Sequence, residues 1–200
     1  MRNFFKYNKN KKDYFYYTYF EKYHDFLYFN TIHTSKIDKK LPFVLIDKNN
    51  ELSTKTKRDI QKKNGNPSYK EKSRINKYHQ AYFYSLKYYK YDIVKSFHFY
   101  NNYLFFINIT FNDLSEKDKT KIIEKVKEVY NITCSNITQI TIKDAGNNVV
   151  YIEDLFNLSF NILLKNSLFL NEIKENIDDY KNKIEVKEDE FLTNLFETLI

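Results

Sequence analysis

The stretch "IVKSFHFYNNYLFFINITF" (residues 93–111) predicts the centre of the fold. Residues 93–99 and 103–111 are rich in β-branched and aromatic side chains, and an asparagine pair stands between the two runs. Asparagine tolerates the left-handed backbone of a tight turn, so the pattern predicts two antiparallel strands joined by a short hairpin. We therefore expect a sheet in which 93–99 pairs with 103–110.

The residues that follow this hairpin predict a helix that packs on it. In "NDLSEKDKTKIIEKVKEVYN" (112–131), Ser115 is a helix-capping residue, Asp118 occupies the capping-box position, and apolar residues recur at helical spacing. A helix over 115–130 is therefore expected, and the combination of strands and helices predicts an α+β fold. We expect a small antiparallel or mixed sheet with strands near 41–47, 93–99, 103–110 and 137–143, packed helices and a helical C-terminal region.

Composition suggests three regions along the chain. Residues 1–12 form a basic tail, 13–150 a basic, aromatic-rich α/β domain, and 151–200 an acidic helical region that either belongs to the same domain or follows it. Only two Gly and two Pro occur among 200 residues, which favours long regular elements over loops. Further helices are predicted over 13–30, 70–91, 152–166, 168–184 and 188–199. The β-prone stretch "YFYYTYF" (14–20) also permits a strand.

Basic residues are concentrated in the first half of the chain. Residues 1–100 carry 22 Lys and Arg against 9 Asp and Glu, whereas residues 101–200 carry 11 against 17. This asymmetry indicates a basic face for a polyanion, or two halves that attract each other. The predicted nucleic-acid or partner-binding residues lie on the exposed side of helix 70–91 and in a mobile basic loop over 52–73: Lys77, Tyr84, Lys87, Tyr88, Tyr91 and Lys95, with Lys55, Lys57, Arg58, Lys62 and Lys63.

Several classes of site lack sequence support. The four histidines and Cys134 show no paired metal-ligand spacing, and two glycines are too few for a glycine-rich phosphate loop. We therefore predict no metal and no cofactor. The N-terminus has no apolar signal region and no apolar run is long enough to span a bilayer, so a cytoplasmic protein without membrane contact is expected.

The fragment "RINKYH" (74–79) places Arg74 five residues before His79. This spacing is similar to the Arg-x4-His pattern of HEPN ribonucleases, although the similarity covers only these six residues. The resemblance implies that His79 and Arg74 would activate a ribose 2′-hydroxyl and hold a phosphate, usually across a dimer. One alternative function is therefore a metal-independent ribonuclease or toxin with Arg74 and His79 as its catalytic candidates.

The leading functional prediction is a non-enzymatic binder of nucleic acid, either RNA or single-stranded DNA, or of a nucleoprotein complex. Lysines would supply salt-sensitive attraction to phosphates, and exposed tyrosines would stack on unpaired bases. Small, basic, AT-biased chains of this character are common among phage and mobile-element proteins, including inhibitors of host CRISPR-type defence complexes. A third hypothesis is a protein–protein interaction module that uses the acidic C-terminal helices.

Overall fold

A computed structural model of the chain describes residues 23, 26–45, 52–73, 77–134, 138–165, 169, 170, 172 and 175. Backbone contacts divide the chain into two units, Met1–Asn166 and Ser167–Ile200. The second unit is described only at residues 169, 170, 172 and 175, which are helical. Every element discussed below belongs to the first unit.

The described part of the first unit is an α+β structure built on one mixed sheet. Its elements are α1 (Phe26–Thr34), β1 (Lys39–Lys40), α2 (Lys57–Asn64), β2 (Tyr69–Lys72), β3 (His79–Tyr88), β4 (Tyr91–Tyr100), β5 (Tyr103–Asn112), α3 (Glu116–Tyr130), β6 (Gln139–Lys143), β7 (Val149–Asp154) and β8 (Leu158–Leu163). The sheet has eight strands in the order β1-β6-β7-β8-β5-β4-β3-β2. The β1–β6 pair is parallel and the other pairs are antiparallel.

The predicted central hairpin is confirmed. Strands β4 and β5 pair antiparallel, and the turn between them consists of Asn101 and Asn102, whose φ angles are 48° and 76°. The register shifts between His98 and Phe99, where a bulge adds one residue to β5. The strand predicted near 137–143 is observed as β6, although residue 137 lies outside the described part of the chain.

The predicted helix that follows the hairpin is also confirmed. Ser115 caps α3, because its Oγ accepts a hydrogen bond from the backbone N–H of Asp118 at 3.2 Å. Buried Ile123 joins the apolar cluster of the sheet, with Ile122 and Val126 packed against that cluster. The apolar stripe predicted from the sequence therefore faces the sheet, except at Val129, which is 59% exposed.

The two faces of the sheet differ in chemistry. We call one the apolar face; its buried side chains include the register partners Phe97, Ile107 and Ile162, and they share a cluster with Ile60 of α2 and Ile123 of α3. We call the other the polar face. Its central row of register partners is buried and consists of Ser96, Asn108, Asn161, Tyr151 and Thr141.

Helix α1 lies on the polar face. The ring of Phe29 packs edge-on against that of Phe106, with ring centroids 5.0 Å apart. The centroid of the same ring lies 5.8 Å from that of the His79 ring. The Tyr28 hydroxyl donates to Glu153 Oε2 at 3.1 Å, which ties the same helix to β7. Because α1 occupies this face, helices pack on both sides of the sheet.

Three predictions of secondary structure were wrong. The helix expected over 70–91 is replaced by β2, β3 and the start of β4, and the helix expected over 152–166 by β7 and β8. The mobile loop expected over 52–73 instead contains α2 and β2. In 78–93 aromatic residues stand at so many positions that a period of 3.6 and a period of 2 both fit, and strand pairing then decides.

The structure tests the predictions for the two ends of the chain only in part. The strand expected near 41–47 is not observed in its described residues 41–45; β1 lies before them at Lys39–Lys40. Leu45 instead donates its backbone N–H to the Asp144 side chain at 3.0 Å. The helix expected over 13–30 is observed from residue 26. The basic tail over 1–12, the helix expected over 188–199 and most of the one expected over 168–184 lie outside the described residues.

Candidate nucleic-acid interface

Helix α2 is fixed on the apolar face by local sequence signals. Thr56 and Asp59 form a capping box at its start, and Gly65, with φ of 80°, ends it in the left-handed region that favours glycine. Ile60 is the one buried residue of the helix and belongs to the apolar cluster. The rest of this short helix is polar; Lys57 and Gln61 are half-buried, and the helix presents Arg58, Lys62 and Lys63 to solvent.

Basic side chains of α2, β2 and β4 lie together at this end of the sheet. Lys57 Nζ donates to Gln80 Oε1 at 3.1 Å, which brings the start of α2 over β3. Lys70 and Lys72 are register partners of Tyr82 and Gln80, so they share the apolar side of the sheet. We define the cationic surface as Lys57, Arg58, Lys62, Lys63, Lys70, Lys72 and Lys95.

Two pairs of lysines in the cationic surface repel each other. Burial, and then the charge of Lys63, lowers the pKa of Lys95. Burial, and then the charge of Lys72, lowers the pKa of Lys57. Neighbouring like charges destabilise the fold unless an anion neutralises them.

The neighbouring acids offset this charge only in part: after the hydrogen bonds from Thr56, the charges of Lys55 and Lys62 also lower the pKa of Asp59. Within the part of the chain that the structure describes, no ion pair joins an acidic side chain to the cationic surface. Asp59 accepts hydrogen bonds from the backbone and hydroxyl of Thr56, which lower its pKa. Glu71 accepts a hydrogen bond from the Tyr69 hydroxyl. Both carboxylates of the segment 55–72 are thus engaged in local structure.

Aromatic rings of β3 and β4 lie beneath two of these cations. Lys70 Nζ lies 4.7 Å from the centroid of the Tyr82 ring, and Lys95 Nζ lies 4.8 Å from that of Phe97. Tyr84 is buried and donates its hydroxyl to the carbonyl of Gly65 at 3.3 Å, which ties β3 to the end of α2. Burial raises the pKa of both Tyr82 and Tyr84.

The structure brings together some of the residues predicted for this site and separates others. It joins Lys57, Arg58, Lys62, Lys63 and Lys95 in one surface. Lys55 lies just before α2, and its carbonyl accepts from the backbone of Leu104. Lys77 and Lys87 are exposed elsewhere: Lys77 over the Tyr78 ring, and Lys87 on the other side of β3, opposite Asp92.

The predicted row of three tyrosines is not uniform. Tyr84, Tyr88 and Tyr91 do share one side of the sheet, because Tyr88 and Tyr91 are register partners and Tyr84 lies four residues before Tyr88. Tyr84 is buried, Tyr91 is half-buried, and only Tyr88 is mostly exposed. Lys70, Lys72 and Tyr89 were missed. The alternation in "YKEK" (69–72) was the available signal, since a period of 2 places both lysines on one face.

The candidate catalytic residues of the ribonuclease hypothesis lie elsewhere. His79 is buried on the polar face, and its Nε2 lies 3.0 Å from Nδ1 of His98. His98 Nε2 in turn lies 2.9 Å from Ser96 Oγ. Arg74 lies outside the described residues, so its distance from His79 is not observed. The histidine side chain therefore points away from the cationic surface.

No protein-family model matches the chain, and comparisons with curated proteins and with solved structures find no match. Among the described residues, no group of three or more His, Cys, Asp and Glu side chains could hold a metal ion. Within the same residues, no helix has the length and apolar character needed to cross a membrane. Evidence for function therefore comes from the geometry of the site itself.

Proposed function

We propose that the protein binds nucleic acid through the cationic surface and catalyses no reaction on it. The observation that carries this proposal is the collection of seven cations from α2, β2 and β4 on one side of the sheet, without an ion pair to any acid in the described residues. Burial and then a neighbouring lysine charge lower the pKa of Lys95 and of Lys57 within this group. Such clusters cost stability in the isolated fold, and a chain of phosphates would neutralise several of them at once.

The chemistry of the surface favours backbone contacts over base recognition. All of its members except Arg58 are lysines, which act as point charges towards phosphate and lack the planar fork of arginine. Phosphate contacts position a protein on nucleic acid but carry no sequence information. A nucleoprotein complex that exposes its nucleic-acid backbone would offer the same phosphates, so an inhibitor of such complexes, including one from a phage, fits the same surface.

Salt dependence of binding tests this proposal. Each neutralised phosphate contributes about −0.7 to −0.9 to the slope of log affinity against log salt concentration. We expect the double variant Lys63→Gln/Lys95→Gln to bind RNA and DNA oligonucleotides more weakly and to flatten the slope by about 1.5. Fluorescence anisotropy across a salt series measures both quantities.

A matched control separates the surface from the net charge. Lys121→Gln/Lys125→Gln removes the same charge from exposed positions of α3, and we expect it to leave affinity and slope close to those of the wild type. Equal losses in both double variants, or no wild-type binding at low salt, would contradict the proposal. Incubated RNA is expected to stay intact; degradation that His79→Ala abolishes would favour the ribonuclease instead.

A further inference from the structure

Two hairpin turns of the same length both place their first residue at positive φ, but with different residues there. The β4–β5 turn uses Asn101 and Asn102, both at positive φ. The β3–β4 turn consists of Tyr89 and Lys90, and Tyr89 has a φ of 52°. Asparagine adopts this left-handed conformation readily, whereas a bulky aromatic residue does so only at a cost in backbone energy.

The strained turn presents aromatic rings to solvent. The side chain of Tyr89 is 83% exposed and that of Tyr88 is 62% exposed. Their rings meet edge to face, with centroids 4.7 Å apart and planes at 89°. The packing of the core does not explain why tyrosine stands at the left-handed position. Because strain of this kind is concentrated at functional sites, the turn is a candidate for contact with a ligand.

The turn is held in place from behind. Lys90 Nζ lies 3.1 Å from Oδ1 and 3.0 Å from Oδ2 of Asp118, and the Tyr91 hydroxyl donates to Oδ1 at 3.3 Å. Asp118 belongs to the first turn of α3, so both contacts fix the hairpin to a helix end. The exposed rings therefore belong to a turn that is tied to α3, which reduces the entropy that a ligand contact would cost.

The exposed rings continue the cationic surface along one side of the sheet. Tyr88 lies on the same side of β3 as Tyr84, the register partner of Lys95. Four residues of strand separate Tyr84 from Tyr88, which corresponds to about 13 Å. A strand of nucleic acid with its phosphates on Lys63 and Lys95 would thus reach Tyr88 within a few nucleotides.

We infer that Tyr88 and Tyr89 stack on unpaired bases of a single-stranded nucleic acid. This inference rests on the proposed function and adds the class of ligand, single strands of RNA or DNA in preference to duplex. Duplex bases already stack on one another and leave no free face for a tyrosine ring. Stacking tolerates any base, so the preference is for strandedness and not for sequence.

The experiment exploits the strain at Tyr89. Tyr89→Asn gives the turn the residue type of the β4–β5 turn, so we expect its midpoint of urea unfolding to equal or exceed that of the wild type. We expect this variant and Tyr88→Ala each to bind a single-stranded oligonucleotide about tenfold more weakly. Duplex affinity and salt slope should stay unchanged. Tyr103→Ala, at a 50% exposed tyrosine beside the β4–β5 turn, is the control and should bind like the wild type.

The outcomes separate the inference from the function on which it rests. Wild-type protein that binds single strands and duplex equally, with Tyr88→Ala and Tyr89→Asn unaffected, would overturn stacking and leave the cationic surface standing. Absence of binding to every oligonucleotide at low salt would overturn both. Parallel single-stranded RNA and DNA probes show which of the two sugars is accepted.

Discussion

The apolar face and the polar face bury neighbouring positions of the same strands in different ways. Phe97, Ile107 and Ile162 lie across three strands on the apolar face, whereas one position away Ser96, Asn108 and Asn161 lie across the same strands on the polar face. Every one of these side chains is at most 7% exposed. Burial of apolar side chains is non-directional, but buried polar groups are stable only when hydrogen-bonded. The two faces therefore contribute differently to the fold.

The polar face fixes the register of the strands. Asn108 Nδ2 donates to Asn161 Oδ1 at 2.8 Å, and the hydroxyls of Thr110 and Ser159 lie 2.8 Å apart one row further along. A slip of one residue between β5 and β8 would move these polar groups onto the apolar face. We conclude that the apolar face supplies most of the stabilising free energy, while the polar face selects one pairing of the strands.

The largest expected effect tests the apolar face. Ile107→Ala removes a buried side chain from the centre of the sheet, and we expect the free energy of unfolding to fall by about 2–5 kcal/mol. Val129→Ala, at a 59% exposed position of α3, is the control and should change it by less than about 0.5 kcal/mol. Urea unfolding followed by circular dichroism measures both. A loss below about 1 kcal/mol for Ile107→Ala would show that this face is not the main source of stability.

The next effect tests the hydrogen bond between Asn108 and Asn161. Each single change to Ala leaves the partner amide buried without this bond, so we expect a loss of about 1–3 kcal/mol in either variant. In the double variant both partners are gone, and the combined loss should fall short of the sum by about 0.5–3 kcal/mol. A double-mutant cycle in urea gives this coupling. Additive losses would mean that the pair does not act as a unit.

The difference between the faces also explains how much of the fold the sequence could predict. The hairpin over 93–111 and helix α3 carry strong local signals, an asparagine turn and a capped amphipathic period, and both are observed. Alternation such as "INIT" (107–110) occurs both in strands whose polar side chains face solvent and in strands whose polar side chains are buried and paired. Sequence alone could not distinguish these, because the distinction depends on helix α1, which packs there from far away in the chain.

The candidate site was predictable to a similar extent. Charge density marked Lys57, Arg58, Lys62 and Lys63 as a basic segment, and the structure places them on one short helix. Their proximity to Lys95 depends on β-pairing between segments that the helical interpretation of 70–91 kept apart. The same error hid the strained turn at Tyr89, because a turn has no place inside a predicted helix.

Lys95 brings a half-buried charge to the apolar face, and its replacement tests the difference between the two faces. Its side chain is half-buried, and burial together with Lys63 lowers its pKa. We expect Lys95→Met to raise the free energy of unfolding by about 0.5–2 kcal/mol at pH 7 and to weaken nucleic-acid binding. This gain should shrink as the pH rises towards about 10.5, because the wild-type folded chain then loses its unfavourable charge before the unfolded chain does.

Urea unfolding from pH 7 to about pH 10 measures the gain, and oligonucleotide binding measures the loss. Lys121→Met, at an exposed position of α3, is the matched control and should change neither quantity appreciably. A destabilised Lys95→Met variant would show that the lysine fits the apolar face better than a methionine of similar length. That result would remove the energetic argument for a phosphate partner at this position.

The smallest effect concerns the edge at which the apolar face meets the β3–β4 turn. Hydrogen bonds from Lys90 and then Ser115 lower the pKa of Asp118. The unfolded chain therefore binds a proton at a higher pH than the folded chain does. The stabilising contribution is complete above the ordinary carboxyl pKa of about 3.9 and disappears as the pH falls through the lowered value.

We expect Asp118→Asn to be slightly less stable than the wild type at pH 7, with the difference vanishing in acid. Asp113→Asn, five residues earlier and exposed, is the control variant, because Asp113 lacks an ion pair within the described residues. A difference for Asp118→Asn that persists unchanged down to about pH 2 would mean that the turn is held by packing and not by this carboxylate.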